Sequence, residues 1–124
     1  MIIGIGTDIT DVARIASSIE QYGERFLRRI FTETERAYCD RREKTKYRHY
    51  CARFAAKEAF SKAIGTGVAD GFAFNLVGIR NEPGGKPVIE LFGLMAERWG
   101  DCRINVSLSH TDALALAVVT IERD

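Results

Sequence analysis

The amino-acid sequence predicts an α+β fold with a mainly antiparallel sheet. Residues 1–9 alternate as a β-strand does, residues 11–64 carry helical patterns, and residues 72–121 return to strand-like patterns. A strand, then a group of helices, then a run of strands is the element order of α+β proteins. The chain of 124 residues is long enough for its own core, so we expect a single domain over residues 1–124.

The first strand is predicted over residues 1–9, with isoleucines on one face and Gly4, Gly6 and Asp8 on the other. Two glycines on one face permit the close approach of another backbone or of a ligand. Asp8 is therefore a carboxylate on a crowded face. It could cap the following helix, but Asp11 is equally well placed to do so. A capping role therefore does not account well for the presence of Asp8.

Three short helices are predicted next. The first covers about residues 11–21 and the second covers residues 24–30. The third extends to about residue 42 and opens on a capping box, in which Thr32 is the N-cap and Glu35 lies three residues further on.

A long central helix is predicted over about residues 47–64, because this stretch is rich in Ala, lacks Pro and is followed by Gly65. Glu58 lies at the border of its broad apolar arc and Lys62 lies inside the arc. Both charges are thus predicted to point towards the interior, where a charge must be paired or bind an ion. A structural Glu58–Lys62 pair and a functional site are both open on position alone.

The C-terminal half shows turn signals and a two-residue period in place of the helical one. The predicted elements are a strand at residues 72–76, a turn at 83–87, a partner strand at 88–92, a short helix at 93–99, a strand at 103–109, and a nearly all-apolar strand at 113–121 that we expect at the centre of the sheet.

The charge of the chain is close to balanced but unevenly distributed. The net charge of +1 argues against binding of nucleic acid through bulk charge, yet residues 25–53 hold 10 basic and 4 acidic side chains. This stretch fits either a docking surface for an acidic partner or a solvated helical face. Composition alone leaves both interpretations open.

Cysteine usage and hydropathy predict a cytoplasmic protein. The three cysteines are odd in number and include no C-x-x-C pair, which argues against a disulfide framework or a zinc site. No apolar run approaches the roughly 20 residues that cross a bilayer, and the N-terminal residues do not have the pattern of a signal peptide. We expect no membrane segment.

A short list of residues could carry chemistry. Asp8 and Glu58 offer hard oxygen ligands, and no His or Cys ligand accompanies them. Mg²⁺ is therefore the metal that would fit them if they converge. Lys86, in a Gly-rich turn, could bind a phosphate or be an ordinary polar turn residue. His110 shares the inward parity of its strand and could be a half-buried core histidine. The residues alone lead to a possible Mg²⁺-assisted phosphate-transfer site.

Six groups of residues stand in order along the chain: Gly6-Thr7-Asp8-Ile9 with Arg14-Ile15; Phe31-Thr32 with Glu35; Arg53 to Ala59 with Lys62-Ala63; Gly65-Thr66-Gly67; Gly85-Lys86-Pro87; and Ser107 to Thr111. In this order and spacing they closely resemble the small bacterial phosphopantetheinyl transferases, the holo-acyl-carrier-protein synthase family, over essentially the whole chain. Two departures are minor. Thr10-Asp11 stands where the family more often has an apolar residue and Glu, and Gly84 stands where Asn is common.

The resemblance implies a reaction and roles for three catalytic residues. The 4′-phosphopantetheine arm of coenzyme A would pass to a serine of apo acyl carrier protein, in support of fatty acid biosynthesis, and adenosine 3′,5′-bisphosphate would remain. Asp8 and Glu58 resemble the family's Mg²⁺ ligands. Lys62 resembles its active-site lysine, which would stabilise or protonate the leaving phosphate.

The resemblance also implies binding surfaces. The positions that match those holding the nucleotide end of coenzyme A are Arg53, Gly84, Gly85, Lys86, Pro87, His110 and Thr111. The positions that match the docking surface for the acidic helix of the carrier are Arg14, Arg25 and Arg28. The family is typically a homotrimer with active sites at subunit interfaces, and part of the apolar strand surface would then lie between subunits.

Two rival interpretations remain. A non-catalytic module could bind an acidic partner through residues 25–53, which explains the basic stretch but leaves Asp8, Glu58 and Lys62 as chance. Another Mg²⁺-dependent transferase acting on a nucleotide pyrophosphate is the alternative among enzymes.

Overall fold

The computed structural model describes residues 1–124 and confirms the α+β class, because every strand pair in it is antiparallel. Five strands and five α-helices make up the fold. In chain order they are β1 (Ile2–Asp11), α1 (Val12–Tyr22), α2 (Glu24–Ile30), α3 (Glu33–Asp40), α4 (Lys46–Ala63), β2 (Val77–Asn81), β3 (Pro87–Leu91), α5 (Gly93–Trp99), β4 (Arg103–His110) and β5 (Leu114–Glu122).

The strands form two separate sheets. The larger sheet has the order β1-β5-β4, so the apolar C-terminal strand is central, as predicted. The hairpin of β2 and β3 forms the second sheet. None of the helices combines the length and apolar character needed to cross a membrane.

The strand predicted at residues 72–76 is wrong, because the strand begins only at Val77 and residues 74–76 form a 3₁₀ turn. The aromatic side chains that suggested the alternation pack on each other and on α4 instead. The ring of Phe74 stacks on that of Phe54 with 5.3 Å between centroids, and Phe72 meets Phe74 edge-on at 5.2 Å. The alternation of aromatic residues therefore results from the packing of their rings, and not from pairing with a neighbouring strand.

Backbone-to-backbone contact joins β1 to α4. A Cβ atom added to Gly4 would lie 2.1 Å from the carbonyl oxygen of Ala63, and one added to Gly6 would lie 1.9 Å from that of Ala59. No side chain fits in either place, which confirms the close approach predicted from the two glycines. The isoleucine face of β1 consequently points away from the helix and is exposed.

The α4 helix lies at the centre of the molecule and is buried almost all round. The large sheet covers one side of it, and α1, α3 and β2 pack on others. The prediction that Lys62 points inward is wrong, because its side chain is 52% exposed. The buried cations of this helix are instead Lys57, whose side chain is fully buried, and Arg53, which is only 3% exposed. The apolar arc predicted from the sequence therefore corresponds to only part of the α4 surface that neighbouring elements bury.

Lys57 and Glu35 form an ion pair in which both side chains are fully buried. The Nζ of Lys57 donates to Oε1 of Glu35 at 2.7 Å and to the carbonyl oxygens of Phe74 and Val77 at 3.0 and 2.7 Å. The other Glu35 oxygen accepts from the backbone N–H of Ile79 at 2.8 Å. Burial lowers the pKa of Lys57, and the Glu35 carboxylate opposes that effect. One pair thus ties together α3, α4 and the start of β2.

Two of the helix-end signals predicted from the sequence are present, one at the start of α3 and one after the end of α4. Thr32 and Glu35 form the complete capping box of α3. Gly65, after α4, has a φ of 86°, the left-handed conformation expected of a glycine there. Asp11 stands before α1 but makes no side-chain capping bond.

Candidate active site

Asp8 lies on the helix-facing side of β1, next to the part of α4 that carries Glu58 and the half-exposed Lys62. Its Oδ1 lies 3.3 Å from the Nζ of Lys62, and its Oδ2 accepts a hydrogen bond of 2.5 Å from the Oγ1 of Thr10. The Nζ of Lys62 also donates to the backbone carbonyl of Thr7 at 3.0 Å. The ion-pair partner of Lys62 is therefore Asp8, fifty-four residues away, and not Glu58, one turn back on the same helix.

Glu58 shares the electrostatic environment of Asp8. Burial raises the pKa of Glu58, the Asp8 carboxylate raises it further, and Lys62 and Arg14 oppose the shift. The carboxylate of Glu58 takes part in none of the ion pairs of the chain. An unpaired carboxylate whose charged form is disfavoured by burial and by a second carboxylate is a site to which a cation would be attracted.

The donor set fits Mg²⁺. No group of three or more His, Cys, Asp and Glu side chains in the chain could hold a metal ion. Asp8 and Glu58 would be the two carboxylate ligands. Mg²⁺ is commonly held by one or two carboxylates, with waters and substrate phosphates completing its octahedron. Oxygen ligands without His or Cys also suit this ion better than zinc or copper.

A second feature is a cavity of about 390 Å³ beside the other side of α4. The predicted residues Arg53, Gly85, Lys86, Pro87 and His110 line it together. Gly84 and Thr111 do not line it. The hydroxyl of Thr111 instead accepts from the backbone N–H groups of Ala113 and Leu114 at 3.2 and 3.1 Å, which stabilises the turn between β4 and β5.

Arg53 is the buried cation of this cavity. Its Nη2 donates to Oδ1 of Asn81 at 2.5 Å, and its guanidinium carbon lies 4.0 Å from the ring centroid of Tyr38. Arg42 covers the same ring at 3.5 Å. The Nε of Arg53 is buried without a hydrogen-bond partner, so a donor remains for an anionic ligand.

The cavity is electropositive. Burial, and then the charges of Arg53 and Arg42, lower the pKa of His49 to about 4. The ring of His110 lies 6.2 Å from that of His49 between centroids, and Lys86 adds an ammonium to the lining. Such a concentration of positive charge suits a phosphate group.

The two features lie on different sides of α4. Arg53 and Glu58 are separated by about 140° around the helix, given 3.6 residues per turn. None of Asp8, Glu58 and Lys62 lines the cavity. A single chain therefore does not bring the carboxylate site and the cationic cavity into one cleft.

The three basic residues predicted to dock a partner occupy neighbouring surfaces. Arg25 lines a cleft of about 360 Å³ with Tyr22, Phe26 and Arg29, whereas Arg28 lines the adjacent groove. Arg14, on α1, stands 5.8 Å from the ring centroid of Phe54 and lowers the pKa of Glu58. Arg14 thus lies at the edge of the carboxylate site.

Sequence reasoning missed several partners of these side chains. Thr10 follows Asp8 by two residues on a strand, so the two-residue period was the signal that could have placed both on one face. Tyr38 and Arg42 are four residues apart on and after α3, which could have indicated their contact. Asn81 gave no signal, because only the turn geometry of the hairpin brings it to Arg53.

Comparison with known proteins identifies the family of the chain. Residues 4–119 match the 4′-phosphopantetheinyl transferase superfamily. The holo-[acyl-carrier-protein] synthase of Bradyrhizobium sp. (strain BTAi1) is 48% identical, and the match covers 98% of this chain and 94% of that protein.

Two solved structures are similar over the whole fold. The holo-[acyl-carrier-protein] synthase of Neisseria meningitidis is 36% identical with a TM-score of 0.88, covering 99% of this chain and 100% of that one. The Bacillus anthracis enzyme, in complex with CoA (3′,5′-ADP), is 34% identical with a TM-score of 0.85, covering 100% and 99%. The chain therefore belongs to the 4′-phosphopantetheinyl transferase superfamily and, within it, to the holo-[acyl-carrier-protein] synthase family.

Proposed function

We propose that this protein transfers the 4′-phosphopantetheine group of coenzyme A to a serine of apo acyl carrier protein. The observation that carries the proposal is the site of Asp8, Glu58 and Lys62, in which two carboxylates stand beside an exposed ammonium. The complex of the Bacillus anthracis relative with CoA (3′,5′-ADP) supports coenzyme A as the donor. We further propose that residues 1–124 act as one catalytic domain, in the cytoplasm, in fatty acid biosynthesis.

Asp8 and Glu58 would hold Mg²⁺, which when bound neutralises charge on the pyrophosphate of coenzyme A. The serine oxygen attacks the phosphorus that carries the pantetheine arm, and the bond from that phosphorus to the bridging oxygen breaks. The serine proton passes to a carboxylate or to water. The leaving group is adenosine 3′,5′-bisphosphate.

Lys62 would stabilise the leaving phosphate. Its Nζ is held by the carbonyl of Thr7 and by Asp8 at 3.0 and 3.3 Å, so it is oriented yet still half exposed. An ammonium fixed in this way can donate to the oxygen on which negative charge develops.

The cationic cavity would bind the nucleotide end of coenzyme A. Arg53 offers a free Nε–H, and Lys86 and His110 stand in the same lining. Gly84 and Pro87 shape the turn that carries Lys86, and Thr111 supports the turn next to His110.

A homotrimer with active sites at subunit interfaces would unite the two features. The carboxylate site and the cavity lie on different sides of α4, so the cavity of a second copy would have to complete the site of the first. The outer face of β1 and β5 offers an apolar surface for this contact. Its exposed members are Ile3, Ile5, Ile9, Leu114 and Leu116.

Arg25→Glu is expected to weaken carrier binding about tenfold or more while coenzyme A binding stays unchanged. The side chain is exposed on α2 and lines a cleft that contains no residue of either feature, and reversal of a surface charge mainly changes association with an oppositely charged partner. Carrier and coenzyme A titrations by calorimetry would measure both affinities. Arg14→Glu is less selective, because Arg14 also faces Glu58.

The matched control is Arg98→Glu, the same change on α5, which carries none of the site residues. It should leave both affinities within about twofold. Equal loss of the two affinities in Arg25→Glu would contradict a docking role for α2.

The decisive assay mixes the protein with apo acyl carrier protein, coenzyme A and Mg²⁺, and follows the intact mass of the carrier. We expect a gain equal to one phosphopantetheine arm, and none after chelation of the metal. No gain would overturn the proposed function. If the carrier were then still bound, the non-catalytic docking module would be the better interpretation.

A further inference from the structure

Thr10 is a buried residue whose hydroxyl serves Asp8. It is only 4% exposed, and its Oγ1 donates to Oδ2 of Asp8 at 2.5 Å. It lies on β1 two residues after Asp8, on the side that faces α4, and pairs with Ala115 of β5. Its backbone carbonyl accepts from Sγ of Cys51 on α4 at 3.4 Å. Thr10 is thus fixed by two other elements.

The two oxygens of Asp8 therefore have different environments. Oδ2 is engaged by the hydroxyl of Thr10 on the buried side, and Oδ1 faces Lys62, whose side chain is half exposed. Because the carboxylate is planar, one hydrogen bond to Oδ2 fixes the direction in which Oδ1 points. The side chain of Asp8 itself is 13% exposed, so little solvent competes for this bond.

Packing alone does not require a hydroxyl at this position. Valine has the same shape as threonine and would fill the same space between β1, β5 and α4, without a polar group to satisfy. The hydroxyl of Thr10 finds its partner in Asp8, and a buried hydroxyl without a partner would be unfavourable. The polar atom thus has a use only in relation to the carboxylate.

We propose that Thr10 is a positioning residue for cation binding, which orients the Asp8 carboxylate through Oδ2 so that Oδ1 is presented to a divalent ion. This inference rests on the proposed function, in which Asp8 is a metal ligand. Hydrogen bonds to the ligands of a metal typically contribute 10–100-fold to metal affinity.

Direct binding of Mn²⁺ to the metal-stripped full chain, measured by electron paramagnetic resonance, tests the inference without a catalytic assay. Thr10→Val keeps the shape and removes the donor, and we expect it to weaken Mn²⁺ binding about tenfold. Thr10→Ser keeps the donor and should bind within about threefold of the native chain. If Thr10→Val folds poorly, Thr10→Ala removes the donor in its place and should show the same tenfold loss of Mn²⁺ binding.

A positioning role for Thr10 also predicts that the apparent affinity for Mg²⁺ changes during transfer while the maximal rate changes little. In Thr10→Val the Mg²⁺ concentration for half-maximal rate should rise, and saturating Mg²⁺ should recover most of the maximal rate. Native Mn²⁺ affinity in Thr10→Val, or an equal loss in Thr10→Ser and Thr10→Val, would overturn the role of the hydroxyl and leave the proposed function intact. Mn²⁺ binding that survives Asp8→Asn would overturn the metal site itself, and this inference with it.

Discussion

Replacement of Glu58 by glutamine is expected to reduce phosphopantetheine transfer by at least about 10³-fold while the fold stays intact. Loss of one of two carboxylates would remove several kcal/mol of metal-dependent stabilisation, and each 1.36 kcal/mol is worth about a factor of ten in rate. The fold should tolerate the change because the Glu58 carboxylate takes part in no ion pair and its charged form is disfavoured by burial and by Asp8. Carrier mass measures the rate, and thermal unfolding measures the stability.

Glu20→Gln is the matched control, because it makes the same change on the exposed surface of α1. It should leave both transfer and the unfolding temperature unchanged. Near-normal turnover of Glu58→Gln would show that Glu58 is not a metal ligand. A large fall in its unfolding temperature would instead assign the residue a structural role.

Lys57→Met is expected to destabilise the protein by about 3–5 kcal/mol, the usual effect of removing one partner of a buried ion pair. The variant leaves the Glu35 carboxylate without its cation, in a position that is fully buried. It also removes the donor to the carbonyl oxygens of Phe74 and Val77. Chemical denaturation, followed by circular dichroism, would measure the loss in the free energy of unfolding.

Two further variants separate the ion pair from general effects of the substitution. Lys44→Met, on the exposed turn before α4, should stay within about 0.5 kcal/mol of the native protein. Glu35→Gln combined with Lys57→Met should lose less than the sum of the two single changes, because no unpaired charge remains. Strict additivity would argue against an interaction between Glu35 and Lys57.

The predictable part of the fold was the part encoded by local patterns. The capping box at Thr32, the left-handed Gly65 and the central position of β5 all follow from short-range chemistry and are confirmed. Burial of α4 was misjudged because a periodic pattern defines a face of a helix but not how many neighbours cover it. The isoleucines of β1 illustrate the same limit, since their parity did not show that this face is exposed.

The residues of the candidate site could be predicted from the sequence, but their contacts could not. Asp8 stood out because a carboxylate on a glycine-lined face has no obvious structural use, and Glu58 because it borders an apolar arc. The convergence of the two depends on how β1 packs against α4, which no local pattern encodes. Asn81 and Tyr38 meet Arg53 only after α3, α4 and the hairpin have assembled.

The contact of Gly4 and Gly6 with the carbonyl oxygens of Ala63 and Ala59 has a consequence for motion and for divergence. Side chains can change rotamer, but two backbones in direct contact have nothing between them that can rearrange. β1 and α4 should therefore fluctuate as one rigid unit, and the spacing of the two carboxylates they carry should vary little. Homologues could then exchange core side chains elsewhere without disturbing that spacing, as long as both glycines are retained.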